Sequence, residues 1–279
     1  MYTYSATQWI FGNEDIETSL IRLKKYGYDG VELAGEPYKM DLERIIELLH
    51  QYEMVCTSIC GIYTPERDLS SSDPAVRGNA IQYVKDCVDM AERLGAKLVI
   101  VVPAPVGKTA PDPQSSAAAE WSNAVNSLQE AGQYAAAKPV KLAIEALNRF
   151  ETYLVNNLTT ARRLVEEVKV KSVQIMADLF HMNIEERNHT EALRMIAPYL
   201  IHVHIADNTR EAAGLGQTDF EPIMKTLAEI GYEGSITMEF LPPVSNPYLA
   251  ASSDGAAEIF DDYTERSIRE IKRVLTRIG

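Results

Sequence analysis

The sequence predicts an α/β fold, a closed (β/α)8 barrel, and three observations carry that prediction. Short apolar runs rich in β-branched residues alternate with longer stretches of helical periodicity. Eight such pairs fit within 279 residues, and a parallel barrel takes about 250. A phrase joining a helix end to a buried strand through glycine also recurs. It reads Tyr26-Gly27-Tyr28-Asp29-Gly30-Val31-Glu32, then Ile230-Gly231-Tyr232-Glu233-Gly234-Ser235-Ile236, and more loosely Leu94-Gly95-Ala96-Lys97-Leu98. An open doubly wound sheet would place Gly-x-Gly-x-x-Gly after its first strand, and none stands there. No linker or composition break interrupts the chain, which predicts one domain over residues 1–279.

The expected strands are Tyr4–Gln8, Gly30–Leu33, Met54–Cys60, Leu98–Pro103, Leu142–Ala146, Val173–Asp178, Ile201–Ala206 and Ser235–Phe240. Asp15–Tyr26 supplies the first helix. Asp41–Gln51 follows, with Leu42, Ile45, Ile46, Leu48 and Leu49 on one face. Pro74–Leu94 opens on an Asp73 cap with proline at its first position and stops at Gly95. Ser115–Ala136 is rich in alanine and ends at Lys138-Pro139. Thr159–Val168, His189–Ala197, Phe220–Ile230 and Ala257–Ile278 complete the set.

Composition excludes several classes. A net charge of −13 repels phosphate backbones, so no nucleic-acid partner is expected. No apolar stretch reaches the ~20 residues of a membrane helix, so no membrane partner is expected either. Met1-Tyr2-Thr3-Tyr4 lacks the basic, then apolar, pattern of a signal peptide. Three cysteines, Cys56, Cys60 and Cys87, are too few for a disulfide framework. They read as small buried hydrophobes, with Cys60 beside a pocket. A cytoplasmic location follows as the expectation.

Barrel enzymes carry reactive groups at the C-terminal ends of their strands. Here four consecutive apolar runs finish on polar residues: Leu142-Ala143-Ile144-Glu145, Val173 to Asp178, Ile201-His202-Val203-His204 and Ile236-Thr237-Met238-Glu239. Three buried carboxylates side by side would repel one another. A divalent cation resolves that repulsion, and a mixed oxygen and nitrogen donor set suits Mn2+, Mg2+ or Co2+. His202 and His204 point to the same side of their strand. His204 is nearer the mouth and is taken as the ligand, with His202 hydrogen-bonded deeper in the barrel. The loops beyond add Asn148-Arg149-Phe150-Glu151, His181 to Glu186, and Asp207-Asn208-Thr209-Arg210. Asn183, Glu185 and Glu186 read as loop solvation or helix caps. Trp9, at a strand end, could face a ligand. Leu241-Pro242-Pro243-Val244 and Asn246-Pro247-Tyr248 form a long loop expected to be a lid or a subunit contact.

Glu145-Ala146-Leu147-Asn148-Arg149-Phe150-Glu151 and Asp178-Leu179-Phe180-His181-Met182-Asn183-Ile184-Glu185-Glu186 carry a resemblance. With the spacing onward to His204 and Glu239, the chain resembles the xylose-isomerase-like barrels, and among them the ketose 3-epimerases. Asp68 to Arg77 and Gly214 to Phe220 add weaker support. The resemblance covers nearly the whole chain. It implies that Glu145, Asp178, His204 and Glu239 hold one divalent metal, Mn2+ first, with Co2+ or Mg2+ as alternatives. It implies that Glu145 and Glu239 are the catalytic acid/base pair, and that Glu151, His181 and Arg210 bind the ketose near O1, O2 and O3. It also implies a sugar substrate and a homodimer or homotetramer. The family's pocket residues for the far end of the sugar find no clear match at Thr7, Trp9, Cys60 and the loop after Pro103.

Moving a proton alpha to a ketone and returning it on the other face requires two bases on opposite sides. The first and last of four adjacent strands stand across the barrel mouth, which suits Glu145 and Glu239. An aldose–ketose isomerase, a phosphosugar epimerase and a 3-keto-glycoside epimerase would use nearly the same chemistry. A phosphosugar would want a glycine-rich or basic cradle, and Gly214-Leu215-Gly216 reads as a tight turn instead. A multi-metal endonuclease would need more ligands on strands two to four. Ser58-Ile59-Cys60 and Val102-Pro103 end strands three and four without a histidine.

Overall fold

The computed structural model describes residues 2–243 and 256–278. Eight parallel strands close into a barrel in sequence order. They are β1 (Thr3–Thr7), β2 (Gly30–Gly35), β3 (Val55–Gly61), β4 (Leu98–Val101), β5 (Lys141–Ile144), β6 (Val173–Asp178), β7 (Leu200–Ile205) and β8 (Ser235–Met238). Around them run α1 (Ile16–Lys25), α2 (Leu42–Gln51), α3 (Pro74–Leu94), α4 (Ala117–Ala136), α5 (Leu158–Val168), α6 (Leu179–Glu185), α7 (His189–Ile196), α8 (Phe220–Glu229) and α9 (Ala256–Ile278). Every strand expected from the sequence forms.

Two strands stop one residue short of the carboxylates expected at their ends. β5 ends at Ile144 and β8 at Met238, so Glu145 and Glu239 sit just past the ladder. Their backbone amides are still held, by Val101 O at 3.0 Å and Ile205 O at 2.9 Å. The ends of the sheet therefore aim both carboxylates without absorbing them. Of the long loop expected after the eighth strand, Val244, Asn246, Pro247 and Tyr248 lie outside the described residues.

Local chemistry sets the helix starts. Asp15, Asp41, Asp73, Ser116, Asn157, Asn188 and Asp219 each accept a hydrogen bond from the first turn of the helix they precede. Gly95, at φ +73°, ends α3 in the left-handed region that glycine enters without strain. The main core lies between barrel and helices. There Phe11 meets Phe240 and Phe260 edge-on. Arg22 lies 4.9 Å from the Phe11 ring centre and pairs with Glu14 and Asp261. A smaller apolar cluster fills the barrel itself: Cys60, Leu98, Ile100, Ala143 and Met176. Above it the lining turns polar.

The strand register slips beside that polar layer. Between β2 and β3 the shift falls at Val31/Glu32, and between β6 and β7 at Ile175/Met176. Such irregularities re-aim side chains, and these two flank Glu32 and His202. Among the described residues no helix is long and apolar enough to cross a membrane. The three cysteines are free and buried, as read from the sequence.

Candidate active site

The four predicted strand-end residues meet. One ligand atom from each of Glu145, Asp178, His204 and Glu239 lies within 4.8 Å of the others, and all four residues are buried. Register explains the meeting: Asp178 pairs directly with His204, and His204 with Thr237, two residues before Glu239. His202 lies deeper, with Nε2 2.8 Å from Glu32 Oε2.

The electrostatics are those of a crowded acid cluster. Burial and the neighbouring Glu239 carboxylate push Asp178 up to about 7. Burial, then Glu239, raises Glu145 well above the usual carboxylate range. Burial also acts to raise Glu239, but the His204 imidazole and the Arg210 guanidinium outweigh it and hold it low. Burial works against a charged His204, yet Glu32 and Glu239 on either side raise it well above the ordinary imidazole value. Asp178 Oδ2 and His181 Nε2 are buried with no hydrogen-bond partner in the protein. His204 Nδ1 stands 3.1 Å from Glu239 Oε2. Three mutually repelling carboxylates, one imidazole and open lone pairs are a donor set that fits a hard or borderline divalent cation.

The predicted binding residues surround the cluster. The segment expected to be a loop after Asp178 is instead the short helix α6. Asp178 caps it, accepting from Phe180 N at 2.8 Å. A helix this short gives little periodic signal, and Asp178 serves as both strand end and cap. His181 follows one turn later, with Nε2 3.5 Å from Asp178 Oδ2 and 3.8 Å from Glu145 Oε1. Burial, then Arg210, keeps it neutral, well below its ordinary value. Arg210 stacks over Phe180, 4.5 Å from the ring centre. It reaches Glu239 Oε2 at 3.3 Å and Glu151 Oε1 at 3.7 Å. Its backbone is left-handed, φ +64°, and its carbonyl accepts from Leu241 N at 2.7 Å. Glu151 also accepts from the Asn148 amide at 2.9 Å.

Glu145, Glu239, His181 and Arg210 open onto a cavity of about 220 Å3. Its other wall is mostly apolar: Trp9, Cys60, Ile62, Tyr63, Val102, Val106 and Leu147. Trp9 does face this cavity, and its Nε1 donates to Glu239 Oε1 at 3.1 Å. The loop residues with bland readings hold structure. Glu185 binds Arg149, and Glu186 accepts from Leu158 N at the start of α5. A larger depression, about 700 Å3, lies at the opposite barrel end and is edged by Lys97, Lys138, Lys141 and Lys171. It lacks the convergent acid and imidazole groups of the mouth.

Glu32 is the residue that sequence reasoning passed over. It is fully buried on β2 and touches both histidines of β7. Its signal was a charged side chain inside the apolar run Val31-Glu32-Leu33.

Comparisons with known proteins identify the family of this barrel. Residues 20–276 match the profile of the xylose isomerase-like TIM barrel family. A D-psicose 3-epimerase of Ruminiclostridium cellulolyticum is 31% identical over 247 residues, covering 85% of this chain and 81% of that protein. A 3-dehydro-D-guloside 4-epimerase of Escherichia coli is also 31% identical, over 234 residues, covering 82% and 88%. The crystal structure of D-psicose 3-epimerase with D-tagatose from Clostridium cellulolyticum H10 superposes with a TM-score of 0.87 at 26% identity, covering 98% of this chain and 99% of that one. With its strand-end carboxylates, its imidazole and these relatives, the chain belongs to the xylose isomerase-like TIM barrel family, among its sugar epimerases.

Proposed function

We propose that the protein, acting as one catalytic domain, epimerises a ketose at C3 through a cis-enediolate, using Glu145 and Glu239 as the two bases. The observation that carries this reading is the convergence of Glu145, Asp178, His204 and Glu239 on one point at the barrel mouth. Those four residues would hold one divalent cation, Mn2+ by the family resemblance. When bound, the cation supplies Lewis acidity toward the carbonyl and neighbouring hydroxyl oxygens of the sugar.

The chain's own groups do the rest. Glu145 and Glu239 leave the barrel on strands separated by two others, so each addresses one face of a sugar in the cavity. One removes the C3 proton, and the other returns a proton to the opposite face. His181 presents Nε2–H to the O2 oxygen as negative charge grows there. Arg210 adds positive charge at the same end, and Glu151 holds Arg210 and the sugar's hydroxyls in place. The mostly apolar far wall makes few directional demands on the rest of the sugar.

The 4-epimerase relative favours a second reading, a 3-keto-glycoside substrate, because the proton alpha to a ketone is again the one that moves. Deuterium exchange separates the two. Metal-depleted protein is incubated in D2O with D-fructose, D-tagatose, L-ribulose or a 3-keto-glucoside, with and without Mn2+. Metal-dependent deuterium at C3 with a new ketose epimer supports the proposal. Deuterium at C4 of the glycoside alone favours the second reading. Exchange at C1 with an aldose product rejects both in favour of an isomerase.

A further inference from the structure

We infer that Glu32 is a positioning residue that sets the tilt of His204 and keeps a hydrogen on its Nε2, so that Nδ1 of that ring faces the carboxylate cluster and is the nitrogen whose hydrogen a cation displaces. This rests on the reading of His204 as a metal ligand given above.

The argument is one of donors and acceptors. Glu32 Oε2 lies 2.6 Å from Ser58 Oγ, 2.8 Å from His202 Nε2 and 3.2 Å from His204 Nε2. Its Oε1 lies 3.0 Å from the same His204 nitrogen. An ionised carboxylate only accepts. Each nitrogen that faces it must therefore carry a hydrogen. His204 thus keeps its Nε2–H against Glu32, and its other nitrogen turns toward Glu239 Oε2, 3.1 Å away, with a hydrogen that a cation would replace. A cation binds imidazole through a lone pair, so the opposite tautomer would put a hydrogen where the ion belongs. A carboxylate behind a ligating histidine also raises its basicity.

The surroundings lock this arrangement. Glu32, Ser58, His202 and His204 are completely buried. The two imidazoles meet edge-on, with ring centres 5.0 Å apart. The register slip at Val31/Glu32 accompanies two adjacent inward hydroxyls on β3, Thr57 and Ser58, which lie 3.2 Å apart. Glu32, His202 and His204 also sit close enough to suggest a cation site of their own. The hydrogen bonds from Ser58 and His202 already engage Glu32 Oε2, which argues for a rigid support instead.

The test compares wild type with Glu32→Gln. Co2+ affinity is read from visible absorption in competition with a chelator. The protein has five histidines, so 15N-histidine spectra of the metal-free and Mg2+-loaded forms can identify the tautomer. The expected result is one Co2+ per chain, His204 bound through Nδ1 with its Nε2–H retained, and a loss of roughly 10- to 100-fold in E32Q affinity. The His204 Nε2–H resonance should shift or vanish in the variant. Unchanged affinity with an unchanged His204 spectrum overturns the inference, as does binding of two Co2+ ions per chain. If E32Q does not fold, Ser58→Ala decides, since it removes one hydrogen bond to the same oxygen. A loss of about three- to tenfold supports the inference, and wild-type affinity overturns it. Failure of the wild type to bind Co2+ overturns the underlying metal reading instead.

Discussion

Asn148 holds His181 from behind. Its backbone amide reaches Nδ1 of His181 at 3.2 Å, and its side-chain amide reaches the same nitrogen at 2.9 Å. A backbone N–H can only donate, so Nδ1 must accept, and the ring hydrogen lies on Nε2. That hydrogen points toward Asp178 and Glu145. The segment after β5 therefore decides what α6 offers the substrate.

Asn148→Asp should cost activity without unfolding the barrel. A carboxylate beside Nδ1 draws a proton to that nitrogen, favouring an imidazolium or the wrong tautomer. We expect kcat to fall about 10- to 100-fold, less than the roughly 100- to 10,000-fold of losing a positioned acid or base outright, while Co2+ affinity changes little. The pH–rate profile should also move, because His181 would no longer be held neutral. An unaltered profile with a raised KM alone would contradict this role.

The metal-free protein should lose stability as pH rises from 6 to 8. Asp178 stands near 7 in the fold, against its ordinary value of 3.8. Folding therefore favours its protonated form, and that stabilisation is full below about pH 4 and lost as pH climbs through 7. Glu145 and His204 are raised too and act in the same direction. Glu32 and Glu239 are lowered, so their contribution fades only in acid, outside this window, while the lowered His181, His189 and His202 oppose the loss only until their unfolded forms discharge around 6.5. Thermal melts at pH 6, 7 and 8 should show Tm falling without metal, by about 2–4 °C for each kcal/mol lost. Mn2+ replaces the missing protons, so its stabilising effect should grow over the same range. A metal-free Tm that is flat or rising would contradict the predicted balance.

What could be read in the sequence follows from how each group is encoded. Asp178, His204, Glu145 and Glu239 each end an apolar run, and a polar residue in that place is visible without coordinates. Their meeting depends only on strand order, which the alternation of strands and helices supplies. Glu32 was harder, because its partners His202 and His204 lie 170 and 172 residues away. No local periodicity reports such a pairing. Helix α6 was missed for a local reason, since seven residues are too few for a convincing amphipathic repeat. The link from Asn148 to His181 joins the segment after β5 to α6, which only the fold brings together.

Gly216→Ala should impair substrate binding through Arg210. A Cβ at Gly216 would stand 2.3 Å from Asp207 Oδ1 and from Asn208 Oδ1. Asp207 is buried and accepts from the backbone amides of Asn208, Gly214 and Thr218. Its carbonyl accepts from Arg210 N at 2.9 Å. The loop is thus wound around one carboxylate, and it presents Arg210 from a left-handed backbone position. Crowding that centre should cost about 1–3 kcal/mol. We expect KM to rise while Co2+ affinity stays within about twofold of wild type. Equal loss of metal and substrate binding would show that the loop supports the whole mouth rather than Arg210.

Glu145→Gln and Glu239→Gln should separate proton exchange from epimerisation. If each carboxylate serves one face, removing one leaves the other able to take its own proton and return it after exchange with solvent. The variant would then wash deuterium into one C3 epimer without converting it to the other. The two variants should choose opposite epimers. Both residues are also proposed ligands, so Co2+ occupancy must be confirmed by absorption before exchange is measured. The two sites are not equivalent. Glu239 receives Trp9 Nε1 on one oxygen and faces His204 and Arg210 with the other, whereas burial and the facing carboxylate raise Glu145 well above the usual range. In the metal-free protein Glu239 is therefore ionised where Glu145 still holds its proton. Epimerisation surviving at wild-type rate in either metal-loaded variant would eliminate the two-base scheme.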